Sequence, residues 1–140
     1  IMYIYNISYI GGFILKNIFT EKFMEVIKYE GAVSLVTWST IGVNVSNTWN
    51  SYLRVPRDGR ILIPAAGMKK TEKNVELNKD VKVTLGTKEV QGLWGPGAGF
   101  LLEGQAEFIY EGAEFELMKE AFPFLSRVIA IDVNKIVQTV

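Results

Sequence analysis

The run Gly67-Met68-Lys69-Lys70-Thr71-Glu72-Lys73-Asn74 follows the apolar Ile61-Leu62-Ile63 and opens a short helical pattern that ends near Asn78. A strand, a glycine turn and a helix start make an arrangement that can hold an anion. The first N–H groups of a helix lack intrahelical partners, and the helix dipole favours negative charge at that end. Lys69 or Lys70 adds a mobile positive charge, and the Thr71 hydroxyl adds a neutral donor. A phosphate is the anion this set suits. The same residues also fit a plainer arrangement in which Thr71 caps the helix and the lysines are solvated. Spacing alone leaves both open.

The rest of the composition narrows the chemistry. The chain has 140 residues, the size of one domain, and 49% of them are hydrophobic, enough for a real core. Fifteen basic and fifteen acidic residues balance, so nothing suggests the basic face that nucleic acid requires. There is no cysteine, hence no disulfide, thiol nucleophile or cysteine-based metal site. There is no histidine, which removes the usual general base and the commonest transition-metal ligand. No metal site is expected. A catalyst built from these residues would take its chemistry from a cofactor.

Residues 1–16 stand apart as an extension of unknown role, with 17–140 as the domain. The extension is apolar and β-branched, interrupted by Gly11-Gly12, and too short to span a bilayer. It has neither a basic leading region nor a small-residue cleavage site. The expectation is a cytoplasmic protein with no membrane partner. An extra edge strand, a dimer arm and residues encoded upstream all remain open for this segment.

The elements that would carry the site follow from periodicity. Thr20 to Gly31 reads as a helix, with Thr20 as N-cap and Phe23, Val26, Ile27 and Glu30 on one face; Glu30 reads as a solvated helix-end charge. Strands are predicted at Ala32–Trp38, Val43–Leu53, Arg60–Pro64, Asp80–Val90, Phe100–Tyr110 and Arg127–Val133, with a possible short one at Ile136–Val140. Pro56-Arg57-Asp58-Gly59 has the residue types of a hairpin turn. Short helices are predicted at Thr71–Asn78 and Gly112–Ala121, with Pro123 ending the second. The Val43–Leu53 strand is rich in amides and hydroxyls on both sides, so it either lies on the surface or lines a polar pocket. The glycine-dense loop Gln91–Gly99 suits either close approach of a ligand or an ordinary long hairpin. The whole reads as a mainly β chain, a small antiparallel barrel with helical additions.

Three segments together are similar to a known family. Asn47-Thr48-Trp49-Asn50-Ser51-Tyr52, Gly67-Met68-x-Lys70-Thr71-x-x-Asn74 and Gly95-Pro96-Gly97-x-Gly99-Phe100 resemble the FMN-binding split barrels, relatives of the pyridoxamine 5′-phosphate oxidases. The likeness runs from about Phe19 to Val140 and includes Lys28-x-Glu30-Gly31 and Gln138-Thr139. It implies a six-stranded antiparallel split β-barrel with a few short helices, paired as a homodimer, with one FMN per subunit at the interface. It also implies that Lys70 and Thr71 hold the phosphate, with a hydroxyl contribution from Thr48. Asn47, Trp49, Asn50 and Ser51 would line the flavin, Gly67 and Met68 would bring backbone near its ring, and Trp49 and Tyr52 would flank or cover it. Near Phe124 one member of the family carries a larger aromatic in a contact that comes from the partner subunit; Phe124, here preceded by Pro123, would cover the flavin in its place.

No catalytic residue follows from the likeness. The function it implies is a flavin-based electron carrier served by an unidentified redox protein or small-molecule reductant. The alternatives are a flavin reductase or pyridoxamine phosphate oxidase-like enzyme, and a protein that binds or stores flavin without redox work. No second basic cluster for a phosphorylated substrate is apparent. FAD in place of FMN stays open.

Overall fold

Apolar and polar residues alternate in β-strand fashion along most of the chain after Gly31, and the strands form accordingly. The computed structural model describes residues 2–4, 7–10 and 13–140, with side chains from residue 17 onward. Strands β1 (Met2–Ile4), β2 (Ile7–Ile10) and β3 (Phe13–Lys16) pair antiparallel with one another and do not extend the larger sheet. There follow α1 (Glu21–Val26), β4 (Ala32–Ser39), β5 (Gly42–Trp49), β6 (Arg54–Arg57), β7 (Arg60–Ala65) and α2 (Lys69–Leu77). The chain ends with β8 (Asp80–Gln91), β9 (Pro96–Ile109), α3 (Ala113–Ala121) and β10 (Arg127–Gln138).

The main sheet has seven strands, not the six expected, in the order β5-β4-β8-β9-β10-β7-β6. Its pairings are all antiparallel. The extra strand arises because Val43–Leu53 does not run through. β5 stops at Trp49, a 3₁₀ turn over Asn50–Tyr52 redirects the chain, and β6 begins at Arg54. β6 takes in Pro56, which an edge strand tolerates because one side of its backbone needs no ladder partner. The hairpin turn narrows to Asp58-Gly59, with Gly59 at φ 82°. The Asp58 carboxylate accepts from the N–H groups of Ile18 and Phe19, both at 2.9 Å, and so fastens the entry of the chain to that hairpin. At the other end, Ile136–Val140 is not a separate strand. Its first residues continue β10 past a register shift at Asn134.

One face of the sheet turns onto a single core. Val33 and Leu35 of β4, Ile61 and Ile63 of β7, Val83 of β8, Leu102 of β9 and Ile129 and Ile131 of β10 all belong to it, together with Phe23 and Val26 of α1. β4 and β7 lie far apart in strand order yet share this core, so the sheet curls into a barrel left open between its edges, β5 and β6. α1 closes one side, its N-terminus capped by Thr20 Oγ1 accepting from Phe23 N at 3.1 Å. It ends at Val26, short of the predicted Gly31. On the opposite face of β7 and β10, α3 buries Met118 and Phe122 against Leu62, Val128 and Ala130. Both faces of β7 are therefore covered, which is why it reads as an unbroken apolar run.

Candidate functional site

β5 is an edge strand, and its pleat sorts its side chains. Val43, Val45, Asn47 and Trp49 are exposed, whereas Asn44, Ser46 and Thr48 on the other side are half-buried or buried. The second set shares the flank of β5 that α2 occupies. α2 meets the strands through Thr71, Asn74 and Asn78, spaced to share one helix face.

The contacts across this seam are hydrogen bonds. Thr71 is fully buried; its Oγ1 lies 2.5 Å from Ser46 Oγ and accepts from Asn44 Nδ2 at 3.1 Å. Asn74 Nδ2 donates to Thr37 Oγ1 and to the Gly42 carbonyl, each at 3.2 Å, and its Oδ1 accepts from Ser39 Oγ at 2.5 Å. Asn78 Nδ2 donates to the Trp38 carbonyl at 3.1 Å. Buried polar atoms in this seam are thus paired, as their desolvation demands.

α2 begins at Lys69, two residues before the predicted start. Met68 is its N-cap residue, in the left-handed conformation (φ 62°, ψ 36°), and no side chain caps the helix. Thr71 is therefore not the cap; it sits in the first turn and spends its hydroxyl on β5. Lys70 is exposed and lines an open cavity of about 300 Å³ together with Ile41, Gly42, Asn44, Lys73 and Asn74.

The loop before α2 is held by a residue that sequence reasoning did not single out. Arg127, buried at the start of β10, donates to the Ala66 carbonyl at 3.1 Å and to the Gly67 carbonyl at 2.5 and 3.0 Å. Its guanidinium lies over the Phe108 ring, 5.6 Å from the centroid, and its Nε is 3.8 Å from Glu72 Oε2. The Tyr110 hydroxyl donates to that same oxygen at 2.6 Å, a bond that raises the tyrosine above its ordinary pKa. A guanidinium at the head of a buried strand was the available signal, since it must find carbonyls or carboxylates to offset its burial.

The 3₁₀ turn is a second fixed point. Asn50 is buried; its backbone N–H donates to the Gly31 carbonyl at 2.9 Å. Its Nδ2 donates to the carbonyls of Tyr29 (2.9 Å) and Gly86 (3.2 Å), and its Oδ1, also buried, has no hydrogen-bond partner. A Cβ at Gly31 would come within 1.9 Å of the Gly86 carbonyl oxygen, so glycine is required there. Glu30 is more than the solvated charge expected. It accepts from Ser51 N–H at 3.1 Å and Ser51 Oγ at 2.7 Å, which hold its carboxyl below the usual value.

Tyr52 joins a ring cluster with Phe122 (5.3 Å between centroids) and the half-exposed Phe124 (5.7 Å), while Arg54 lies over Phe122 at 4.8 Å. The residues singled out from sequence thus fall in three places. Gly67, Met68, Lys70 and Thr71 lie at the start of α2; Asn50, Ser51, Tyr52 and Phe124 lie around the 3₁₀ turn and the end of α3. Asn47, Thr48 and Trp49 lie on β5 between them, with Thr48 on one face of the strand and Asn47 and Trp49 on the other. Asn47 Oδ1 accepts from Ser34 Oγ at 2.9 Å. Asn44 and Ser46 were missed, although their even spacing from Thr48 on a strand rich in polar residues was visible.

Among the described residues no group of three or more His, Cys, Asp or Glu could hold a metal ion, and no helix is long and apolar enough to cross a membrane. Residues 19–139 match the family described as pyridoxamine 5′-phosphate oxidase. A protein of Nitratidesulfovibrio vulgaris (strain DSM 19637 / Miyazaki F) named FMN-binding protein is 49% identical over 94 residues, 67% of this chain and 77% of that protein. In fold, the chain is similar to HupZ of Group A Streptococcus, with TM-score 0.70 at 21% identity over 85% of this chain and 92% of that one. It is also similar to an FMN-binding protein of Syntrophomonas wolfei subsp. wolfei, with TM-score 0.63 at 18% identity over 77% of this chain and 76% of that one.

Proposed function

Because the chain belongs to the pyridoxamine 5′-phosphate oxidase family, we propose that it binds FMN and serves in electron transfer, with the flavin held at the interface of a homodimer. The observation that carries this reading is the start of α2, a helix N-terminus that no side chain caps, in a chain 49% identical over 94 residues to a protein named for FMN binding. The donor set there fits a phosphate: free helix N–H groups, the Lys70 ammonium and, along β5, the Thr48 hydroxyl, with the buried Thr71 hydroxyl behind them bonded to β5. The buried, unpartnered Asn50 Oδ1 fits a polar ligand edge that offers a donor.

FMN supplies the redox chemistry when bound. With neither histidine nor cysteine, the chain's own residues bind and orient. Lys70 anchors the phosphate directly, and buried Thr71 acts on it through the side chains of β5 that it binds. Asn47, Asn50 and Ser51 line the flavin, and Gly67 and Met68 bring backbone up to it. Trp49 and Tyr52 flank the ring, and Phe124 covers it from the partner subunit. Val43, Val45 and Trp49 stand exposed along an unpaired edge strand, a surface suited to cover by a second copy. Residues 17–140 form the binding unit, and the cytoplasm is its proposed location.

The test is the visible spectrum of the purified protein, chromatographic identification of the released chromophore, and a redox titration. Flavin bands, FMN and reversible reduction are expected. A colourless protein that takes up no added FMN would refute flavin binding, and irreversible reduction would refute the carrier role. Membership of an oxidase-named family favours one further reading, an enzyme that turns over a small substrate. NAD(P)H consumption no faster than with free FMN would count against its flavin reductase form.

A further inference from the structure

We infer that Ser46, held together with Thr71 by Asn44, is a further residue of the phosphate site and sets the preference for a phosphorylated flavin over an unphosphorylated one. The inference rests on the FMN reading above and adds to it the group that discriminates. It follows from counting protons. The Ser46 and Thr71 hydroxyls lie 2.5 Å apart, so one of them donates to the other. Asn44 Nδ2 donates to Thr71 Oγ1 at 3.1 Å and approaches Ser46 Oγ at 3.4 Å, taking up acceptor capacity on both. Two hydroxyl protons enter this cluster and the mutual bond uses one. The other must leave it, whichever hydroxyl donates first.

Burial decides where it leaves. Thr71 is fully buried, whereas Ser46 is only half-buried, so a ligand reaches the pair through Ser46. The chain of donation therefore runs from Asn44 to Thr71, from Thr71 to Ser46, and from Ser46 outward. An outward-facing donor on the flank of β5 occupied by α2, two residues along the strand from Asn44, which lines the cavity with Lys70, suits a group that only accepts and is negatively charged. A phosphate is both. A ribityl hydroxyl accepts too, but it brings a proton of its own and gains nothing from the neighbouring ammonium. Neither Ser46 nor Asn44 belongs to the three segments that carry the family likeness.

Dissociation constants for FMN and riboflavin, measured by flavin fluorescence on the wild type and on Ser46→Ala, Ser46→Val and Ser46→Thr, test this directly. The wild type should bind FMN more tightly than riboflavin. Ser46→Ala and Ser46→Val should weaken FMN about tenfold, with riboflavin changed less than about twofold. Ser46→Thr, which keeps the hydroxyl in a side chain of the same shape as valine, should restore most of the FMN affinity. Equal weakening of both flavins, no weakening of either, or a valine variant that matches the threonine one would each overturn the role of Ser46. A wild type that binds both flavins equally would instead overturn the phosphate site itself, and the inference with it. Excess inorganic phosphate should compete with FMN in the wild type; competition of the same strength in Ser46→Val would also overturn it.

Discussion

Two helices lie against the sheet in opposite chemical styles. α3 rests on β7 and β10 through Met118, Phe122, Leu62, Val128 and Ala130. Its polar tie to the sheet, among the described residues, is at the edge, where buried Arg60 binds Glu114 of α3 at 2.6 Å together with Asp132 at 3.1 Å and Glu107 at 3.3 Å. The bond to Glu114, helped by the other carboxylates, holds that guanidinium protonated above its already high ordinary value. α2 rests on β4 and β5 through Thr71, Asn74 and Asn78, with Val75 as its buried apolar residue. Apolar burial is non-directional and stabilises by area, whereas a buried hydrogen bond nets little but is costly to break. α3 is therefore a device for stability. α2 is a device for placing hydroxyls, amides and a helix start at fixed points.

The apolar seat of α3 gives the largest effect. Met118→Ala should lower unfolding free energy by about 2–5 kcal/mol in chemical denaturation, through lost transfer energy and the cavity left behind. The FMN to riboflavin affinity ratio of whatever remains folded should not change. If it does, α3 is more than a support.

At the α2 end, Lys70→Ala combined with Thr71→Ala should cost FMN binding about 1.5–3 kcal/mol and riboflavin far less, since only FMN carries the phosphate. Calorimetry with the two flavins measures this, and equal losses would place the phosphate elsewhere. Arg127→Lys keeps the charge but loses the fork that holds the Ala66 and Gly67 carbonyls together. It should weaken FMN by about 1 kcal/mol through the loosened loop, on the scale of one neutral hydrogen bond. An unchanged affinity would show that the loop does not need the guanidinium.

The smallest effect concerns Glu30. Its carboxyl is held below its ordinary 4.5 by the Ser51 hydrogen bonds. A depressed folded-state value contributes stability above the unfolded value, and that stability is lost as pH falls through the folded one. The difference in melting temperature between wild type and Glu30→Gln should therefore be present near neutral pH and close as pH falls below about 4.5. A difference that is constant across this range would mean that the Ser51 contact does not depend on charge.

Much of this was legible before any coordinates. The Thr20 cap, the alternation of β4, β8 and β9, the helices near Thr71 and Ala113 and the family likeness all follow from local spacing and residue type, and local spacing is what a linear chain carries. The break at Trp49 was not legible, because it depends on Asn50 reaching Tyr29 and Gly86, far away in the chain. Nor was β6, whose Pro56 reads as a turn until the strand is known to lie at an edge.

The site shows the same division. By itself, the sequence determined that the residue types of an anion site stand at Gly67, Lys70 and Thr71, and that neither a histidine base nor a cysteine nucleophile is present. Tertiary structure decided that Thr71 faces β5 and does not cap its own helix, that Asn44 and Ser46 share its hydrogen bonds, and that Arg127 holds the loop, 60 residues distant in the chain. The physical reason is the same for each. A hydroxyl, an amide or a guanidinium has several partners open to it in the sequence, and burial in a particular fold leaves it with those it can reach.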